Sequence, residues 1–307
     1  MNSEFLSSYH RKTWVIQRFR IQMKTFKRCF IGFTLTLSLL LAGPLFLAAC
    51  AGLQDSGSWR TADRSSAGIA PRPEQEQAAV VQVYGARAYN WRGYFSLHTW
   101  ISTKEAGADG YYVHEVTGWR HYVVQSRPDD PDRAWYGAPP TLIADIRGEQ
   151  AERIIDQLNE VIDRYPYPTE YTAWPGPNSN TFVAWVIRQI PEMDVALPNH
   201  AIGKDYLGNG VVSEVPGGSG YQLSLGGYFG ILAGVREGLE LNILGLSMGI
   251  NPLALGIKLP GVGELAFRST NPMHEPSGSN SEPETDAVPQ TGAAEAAEAG
   301  QVSQNTL

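Results

Sequence analysis

The sequence predicts an α+β fold: a small antiparallel sheet packed by two helices, extended by a C-terminal strand meander. Three observations carry it. Four stretches rich in β-branched and aromatic residues, 79–86, 94–102, 111–117 and 119–126, are separated by turns containing glycine, the pattern of hairpin-connected strands. Two later stretches repeat apolar residues at helical spacing. Beyond them, residues 221–267 alternate apolar residues between glycines.

The helices follow from particular residues. Ala151, Ile154, Ile155, Leu158, Val161 and Ile162 fall on one face of a helix over about 147–164, and Tyr165-Pro166-Tyr167-Pro168 ends it. Phe182, Val183, Val186, Ile187 and Ile190 mark a second helix, opened by Asn178-Ser179-Asn180 and stopped by Pro191, since Asn and Ser are good N-cap residues. In the meander, Leu239, Leu241 and Ile243, then Leu246, Met248 and Ile250, have the period of strands and are expected to face the core, although their apolar character also suits a membrane surface.

Ahead of these elements, residues 1–28 hold seven Lys or Arg and one acid, Glu4. Lys24, Lys27 and Arg28 precede an uncharged run from Cys29 to Ala49, the basic and apolar regions of an export signal. Leu47-Ala48-Ala49-Cys50 resembles the bacterial lipobox, which implies cleavage before Cys50 and attachment of lipid to it. The run is also long enough for an uncleaved transmembrane helix; Gly43-Pro44 and the small-residue end favour cleavage. The expected organisation is an extension or misassigned start over 1–22, a signal over 23–49, lipidated Cys50 with a polar tether over 50–76, one globular domain over 77–270, and a disordered acidic tail over 271–307. Ala51, rather than Asp, favours the outer membrane by the sorting rule of enteric bacteria. The protein is thus expected in the bacterial cell envelope, facing the periplasm.

Charge narrows the partners. The whole chain carries a formal net charge of -7. Removing the seven basic residues and Glu4 leaves seventeen basic and thirty acidic side chains, a net of -13, and such a surface has no general attraction for nucleic acid. With only Cys29 and Cys50 in the chain, no intramolecular disulfide is expected. No metal or cofactor is expected either: His114 and His121 lack the further Cys, His or paired carboxylates of a zinc site. Asp129, Asp130 and Asp132, near Pro128 and Pro131, read as a solvated loop.

The chemistry concentrates at the second helix. A residue in the first turn sees unpaired N–H groups and the positive end of the helix dipole, which favour an oxyanion. Ser179 puts a hydroxyl there, and His98, within a strand beside Trp100, is the candidate base. His114 or Glu115, on the next strand, is placed to orient His98. The alternative is that Ser179 only caps a helix, and that Trp174, Asn178, Asn180 and Trp100, with exposed Tyr165 and Tyr167, bind a cell-wall, lipid or protein ligand without catalysis.

Residues 57–68, the His98-Thr99-Trp100 strand, Trp174 to Phe182 and Ala201 to Leu207 together resemble the bacterial family called domain of unknown function 3750, a likeness running over about 57–267 that brings no activity with it. A strand histidine followed by Asn-Xaa-Asn-Xaa-Phe at a helix start is also similar to circularly permuted papain-like proteins, the branch of the NlpC-like amidases and the lecithin retinol acyltransferase group. That resemblance implies a hydrolase or acyltransferase fold in which Ser179 stands in the place of the nucleophilic cysteine and His98 in that of the base. A serine there departs from the pattern, because a hydroxyl needs a well-aligned base more than a thiol does.

Overall fold

The structure, a computed structural model of the 307-residue chain, describes residues 3–51 and 58–274, with the side chains of the first helix described from Gln22 to Cys50. The expected acidic tail beyond His274, the 52–57 part of the expected tether and the side chains of residues 1–21 of the expected N-terminal extension lie outside the described residues.

Helix α1 (Ser3–Ala51) is continuous, with Pro44 inside it. Its Gln22–Cys50 portion is apolar and long enough to cross a membrane, and only Leu40 and Pro44 of it are buried. This N-terminal apolar helix is compatible with a signal peptide or an anchor.

Strands β1 (Val80–Arg87), β2 (Leu97–Lys104), β3 (Tyr112–Val116), β4 (Val124–Pro128) and β5 (Pro140–Arg147) form one antiparallel sheet in the order β4-β3-β2-β1-β5. Helices α2 (Glu149–Asp163) and α3 (Ser179–Gln189) follow. They pack on one face of the sheet, where Val81, Ile101 and Val116 meet Ile154, Leu158, Phe182 and Val186 in the main core. The other face carries a smaller aromatic cluster of Tyr84, Trp100, Val113 and Trp135. Neighbouring residues of a strand point to opposite faces, so each strand serves both clusters.

A second sheet, β6 (Val212–Glu214), β7 (Gly220–Leu225), β8 (Phe229–Gly234), β9 (Gly238–Ile243), β10 (Leu246–Asn251), β11 (Gly256–Leu259) and β12 (Gly263–Leu265), is an antiparallel meander in sequence order. Its turns are tight. Leu244 and Gly245 between β9 and β10 both have positive φ, as a two-residue hairpin turn of matching twist requires.

The meander exists as predicted, but its orientation is reversed. Gln222, Ser224, Glu240, Asn242, Ser247, Asn251 and Lys258 are buried, together with Leu232, whereas Leu223, Ile231 and Leu241 are exposed. Several of the inward polar groups pair with one another: the Lys204 and Lys258 ammonium groups donate to the two oxygens of Glu240 at 2.7 and 2.6 Å, and Asn242 donates to Asp205 at 3.0 Å. Buried charges are tolerable when paired in this way.

The segment read as tether is also partly docked. Ser66 donates to Asp132 at 2.6 Å and Ala70 N–H at 3.0 Å, with Ile69 N–H bonded to the same carboxylate. Gly137 N–H reaches Asp63 O, and Arg147 pairs with Glu76 at 2.7 Å. Asp132, read as solvated, is therefore buried, and its burial is stable because three donors from the chain before β1 surround it.

Candidate functional site

The local sequence builds the start of α3 with little freedom. The Asn178 side chain accepts the N–H groups of Asn180 and Thr181 at 3.0 and 3.2 Å, and Thr181 Oγ1 accepts Asn178 N–H at 3.1 Å, closing a capping box. The helical ladder begins with Phe182 N–H on Asn178 O. This leaves the Ser179 N–H outside the cap, at the positive end of the helix.

Further bonds tie this helix start to its surroundings. Asn178 Nδ2 donates to Ile202 O at 3.0 Å, and Asn180 Nδ2 to Ile202 O and Leu97 O at 2.7 and 3.0 Å. Thr99 Oγ1 donates to Asn180 Oδ1 at 2.9 Å. The two asparagines expected to bind a ligand are thus buried, with their carboxamides engaged in positioning α3. Gly203 has φ of 103°, and a Cβ there would stand 2.4 Å from the Asn178 carboxamide, so this close approach requires glycine.

His98 sits one residue before Thr99 and therefore points to the other face of β2. There its Nε2 lies 2.9 Å from Oε2 of Glu115, and its ring stacks on Trp135 with centroids 3.6 Å apart. The other Glu115 oxygen accepts from Arg133 at 2.7 Å and Arg127 at 2.8 Å. Burial alone would raise the Glu115 pKa, but His98 and the two guanidinium groups outweigh it and lower the carboxyl to about 2. Burial dominates at His98 and lowers its pKa below 6.5 despite Glu115, so the ring is neutral near pH 7. A carboxylate only accepts, hence Nε2 carries the hydrogen and Nδ1 is the basic nitrogen.

Register decides between the two expected orienting residues. Ile101 pairs with His114 across β2 and β3, so Glu115 falls opposite Trp100 and shares the His98 face. His114 lies on the other face, bonded to Thr103 at 3.0 Å and Ser126 at 2.8 Å. Burial lowers its pKa to about 4.

Ser179 and His98 both border a cleft of about 630 Å³, walled by Trp91, Trp119, Trp135, Tyr171 and Trp174, a volume in the range of small-molecule sites. No hydrogen bond joins the serine and the histidine among the described residues. Trp174 is half exposed, and its Nε1 donates to Leu244 O at 2.9 Å. Three expected binding aromatics have other places. Trp100 is wholly buried, with its Nε1 donating to Pro131 O at 2.8 Å; Tyr165 is buried in the main core and Tyr167 packs against it. Cys50 is exposed near the end of α1.

The sequence reading missed Trp135, Arg127 and Arg133. The neighbouring aromatics Trp135-Tyr136, in a loop rich in proline and glycine, were the available signal for the first. Nothing local marks the two arginines as partners of Glu115, because that pairing depends on the register of β3 and β4 and on the loop after it.

Fold and site together define an α+β domain with a histidine–carboxylate pair and a helix-start serine on one aromatic cleft. Residues 78–206 match the family model described as "Protein of unknown function (DUF3750)", which supports the resemblance to that family over this part of the chain. The match runs from just before β1 to beyond α3 and leaves the meander outside it. Neither the curated proteins nor the solved structures yield a significant match to this chain.

Proposed function

We propose that this cleft hydrolyses or transfers an acyl or amide bond of an envelope component, in the manner of a serine variant of the permuted papain-like proteins. The observation that carries the reading is the His98–Glu115 contact, which fixes a neutral imidazole with Nδ1 as its basic atom on the cleft that Ser179 borders. Ser179 Oγ attacks the carbonyl carbon while His98 Nδ1 takes the hydroxyl proton. The Ser179 N–H stabilises the oxyanion; His98 then returns the proton to the departing amine or alcohol. Water or a second nucleophile releases the acyl group from Ser179. Open serine–histidine geometry is common in unliganded sites.

The chain acts in the bacterial envelope, facing the periplasm and held by lipid on Cys50, with the outer membrane favoured by Ala51. The apolar stretch before Cys50 supports this placement. Cys50→Ser is then expected to block signal processing.

A second reading has its own support. The serine in place of cysteine, with no hydrogen bond to His98, suits a cleft that binds an envelope ligand without turnover. A fluorophosphonate probe separates the two. Catalysis requires labelling of wild type that is lost in Ser179→Ala and in a folded His98→Ala; equal labelling of wild type and Ser179→Ala would leave the binding reading standing.

A further inference from the structure

A sheet with one wet face ordinarily turns polar side chains to water and apolar ones to the core. The β6–β12 meander does the opposite. Its registers line up Val212, Leu223, Ile231, Leu241 and Met248 across five successive strands on the outer face. A parallel row runs through Tyr221, Leu239, Ile250, Ile257 and Leu265. Among the described residues, Glu214 on β6 is the one charged side chain at an outward strand position. Apolarity continues into the exposed hairpin tips, at Leu244 and Tyr228 on one end and Val235 and Leu253 on the other. Soluble monomers rarely present a continuous apolar surface of this kind to water.

We infer that this face rests on a phospholipid bilayer. Chain connectivity places a bilayer within reach. An apolar helix long enough to cross a membrane ends at Cys50, and the segment docked on the domain is already bonded at Asp63. Residues 51–62 between them extend at most roughly 40 Å, so a membrane holding the helix, or a lipid on Cys50, keeps the domain beside it. The C-terminal segment offers no matching cover. Residues 275–307 have six acids, no base and only three large aliphatic side chains, Val288, Val302 and Leu307.

The inner face is consistent with such a seat. Its charges are paired within the protein through Lys204, Glu240 and Lys258, so the strand charge left on the outer face is Glu214, on the edge strand β6, where it can stay at the aqueous rim when the face is covered. The cleft adjoins the same surface: Leu246, on the outward face, and Leu244 form part of its wall. An amphiphile in the bilayer therefore reaches the cleft along a continuous apolar path. The docking itself is independent of the chemistry assigned to Ser179.

The test uses the full chain with Cys29→Ala and Cys50→Ala, reconstituted through its apolar helix into phosphatidylcholine–phosphatidylglycerol vesicles. An environment-sensitive nitrobenzoxadiazole label is placed on Ile231→Cys, on Leu223→Cys and, as a control on α2, on the exposed Glu160→Cys. Circular dichroism selects the folded variants, and two positions on the face guard against failure of one. Both are expected to show blue-shifted emission and severalfold stronger quenching by acyl-chain-brominated lipid than the control. Water-like emission at all three positions overturns the inference. A blue shift without lipid quenching overturns it as well, because a second copy of the chain would then cover the face.

Discussion

His98 Nε2 lies 2.9 Å from Oε2 of Glu115, while Arg127 and Arg133 share the other oxygen of that carboxylate. Three donors from two strands and a loop thus converge on one buried acid. Glu115→Ala leaves the buried Arg133 and His98 facing a void, and removing one member of a buried charge pair costs ~3 to 5 kcal/mol. Arg127 is partly exposed and adds little to that figure. Urea unfolding should show a loss of this size; a variant within about 1 kcal/mol of wild type would remove Glu115 from the centre of this face.

Acid should weaken the fold in two windows. His114 is buried and titrates at about 4 rather than 6.5. The unfolded chain therefore binds its proton first, and the stabilisation, full above pH 6.5, is lost as pH falls toward about 4. His98 contributes in the same direction. Glu115 titrates at about 2 rather than 4.5, so its contribution is full above pH 4.5 and disappears as pH falls toward about 2. Each shift of this size corresponds to ~3 kcal/mol. His114→Gln keeps a side chain able to bond Thr103 and Ser126 without titrating, and should flatten the upper window of a stability-against-pH curve. An unchanged slope would show that His114 is not the group responsible.

The Asn178 side chain both caps α3 and ties it to Ile202. Loss of such a cap costs ~1 to 2 kcal/mol, and Asn178→Ala also removes one of the two amide donors to the Ile202 carbonyl, leaving Asn180 as the other. A fall of at least that size in thermal or urea stability is expected. Asn178→Asp retains the cap acceptor but not the donor to Ile202, so it should fall between alanine and wild type. Equal stability of all three would mean that the cap does not limit α3.

Strand and helix periodicities made much of this fold legible, but not its long-range pairings. Both core helices, three of the first four strands and the position of the helix cap are readable from local spacing. Strand β5 is not, because Pro140, Ala144, Asp145 and Arg147 interrupt the apolar pattern in a strand that pairs only with β1. Strand β4 begins at Val124 rather than 119, since Trp119 and Tyr122 stand exposed in the preceding turn. Alternation in the meander gives the period of two but not its sign: which set faces inward depends on Lys204 and Asp205, from a distant loop. The choice of Glu115 over His114 is of the same kind, because one residue of register exchanges the faces.

The buried Lys204–Glu240–Lys258 arrangement gives that reversed sheet its sharpest stability test. Glu240 accepts from both ammonium groups, and each side chain is almost fully buried. Burial opposes ionisation at Glu240 and Lys204, yet their attraction lowers the Glu240 pKa and raises that of Lys204. Below the ordinary carboxylate range Glu240 takes a proton and this stabilisation is lost; the Lys204 contribution persists until pH rises above 10.5. Glu240→Ala leaves two buried cations uncompensated and should cost ~3 to 5 kcal/mol. Glu240→Ala/Lys258→Met removes the acceptor and one cation together, so it should recover part of the loss in urea unfolding. If the double variant is no more stable than Glu240→Ala, the buried charge of Lys258 is not what makes the single substitution costly, and the inward face draws its stability from its hydrogen bonds instead.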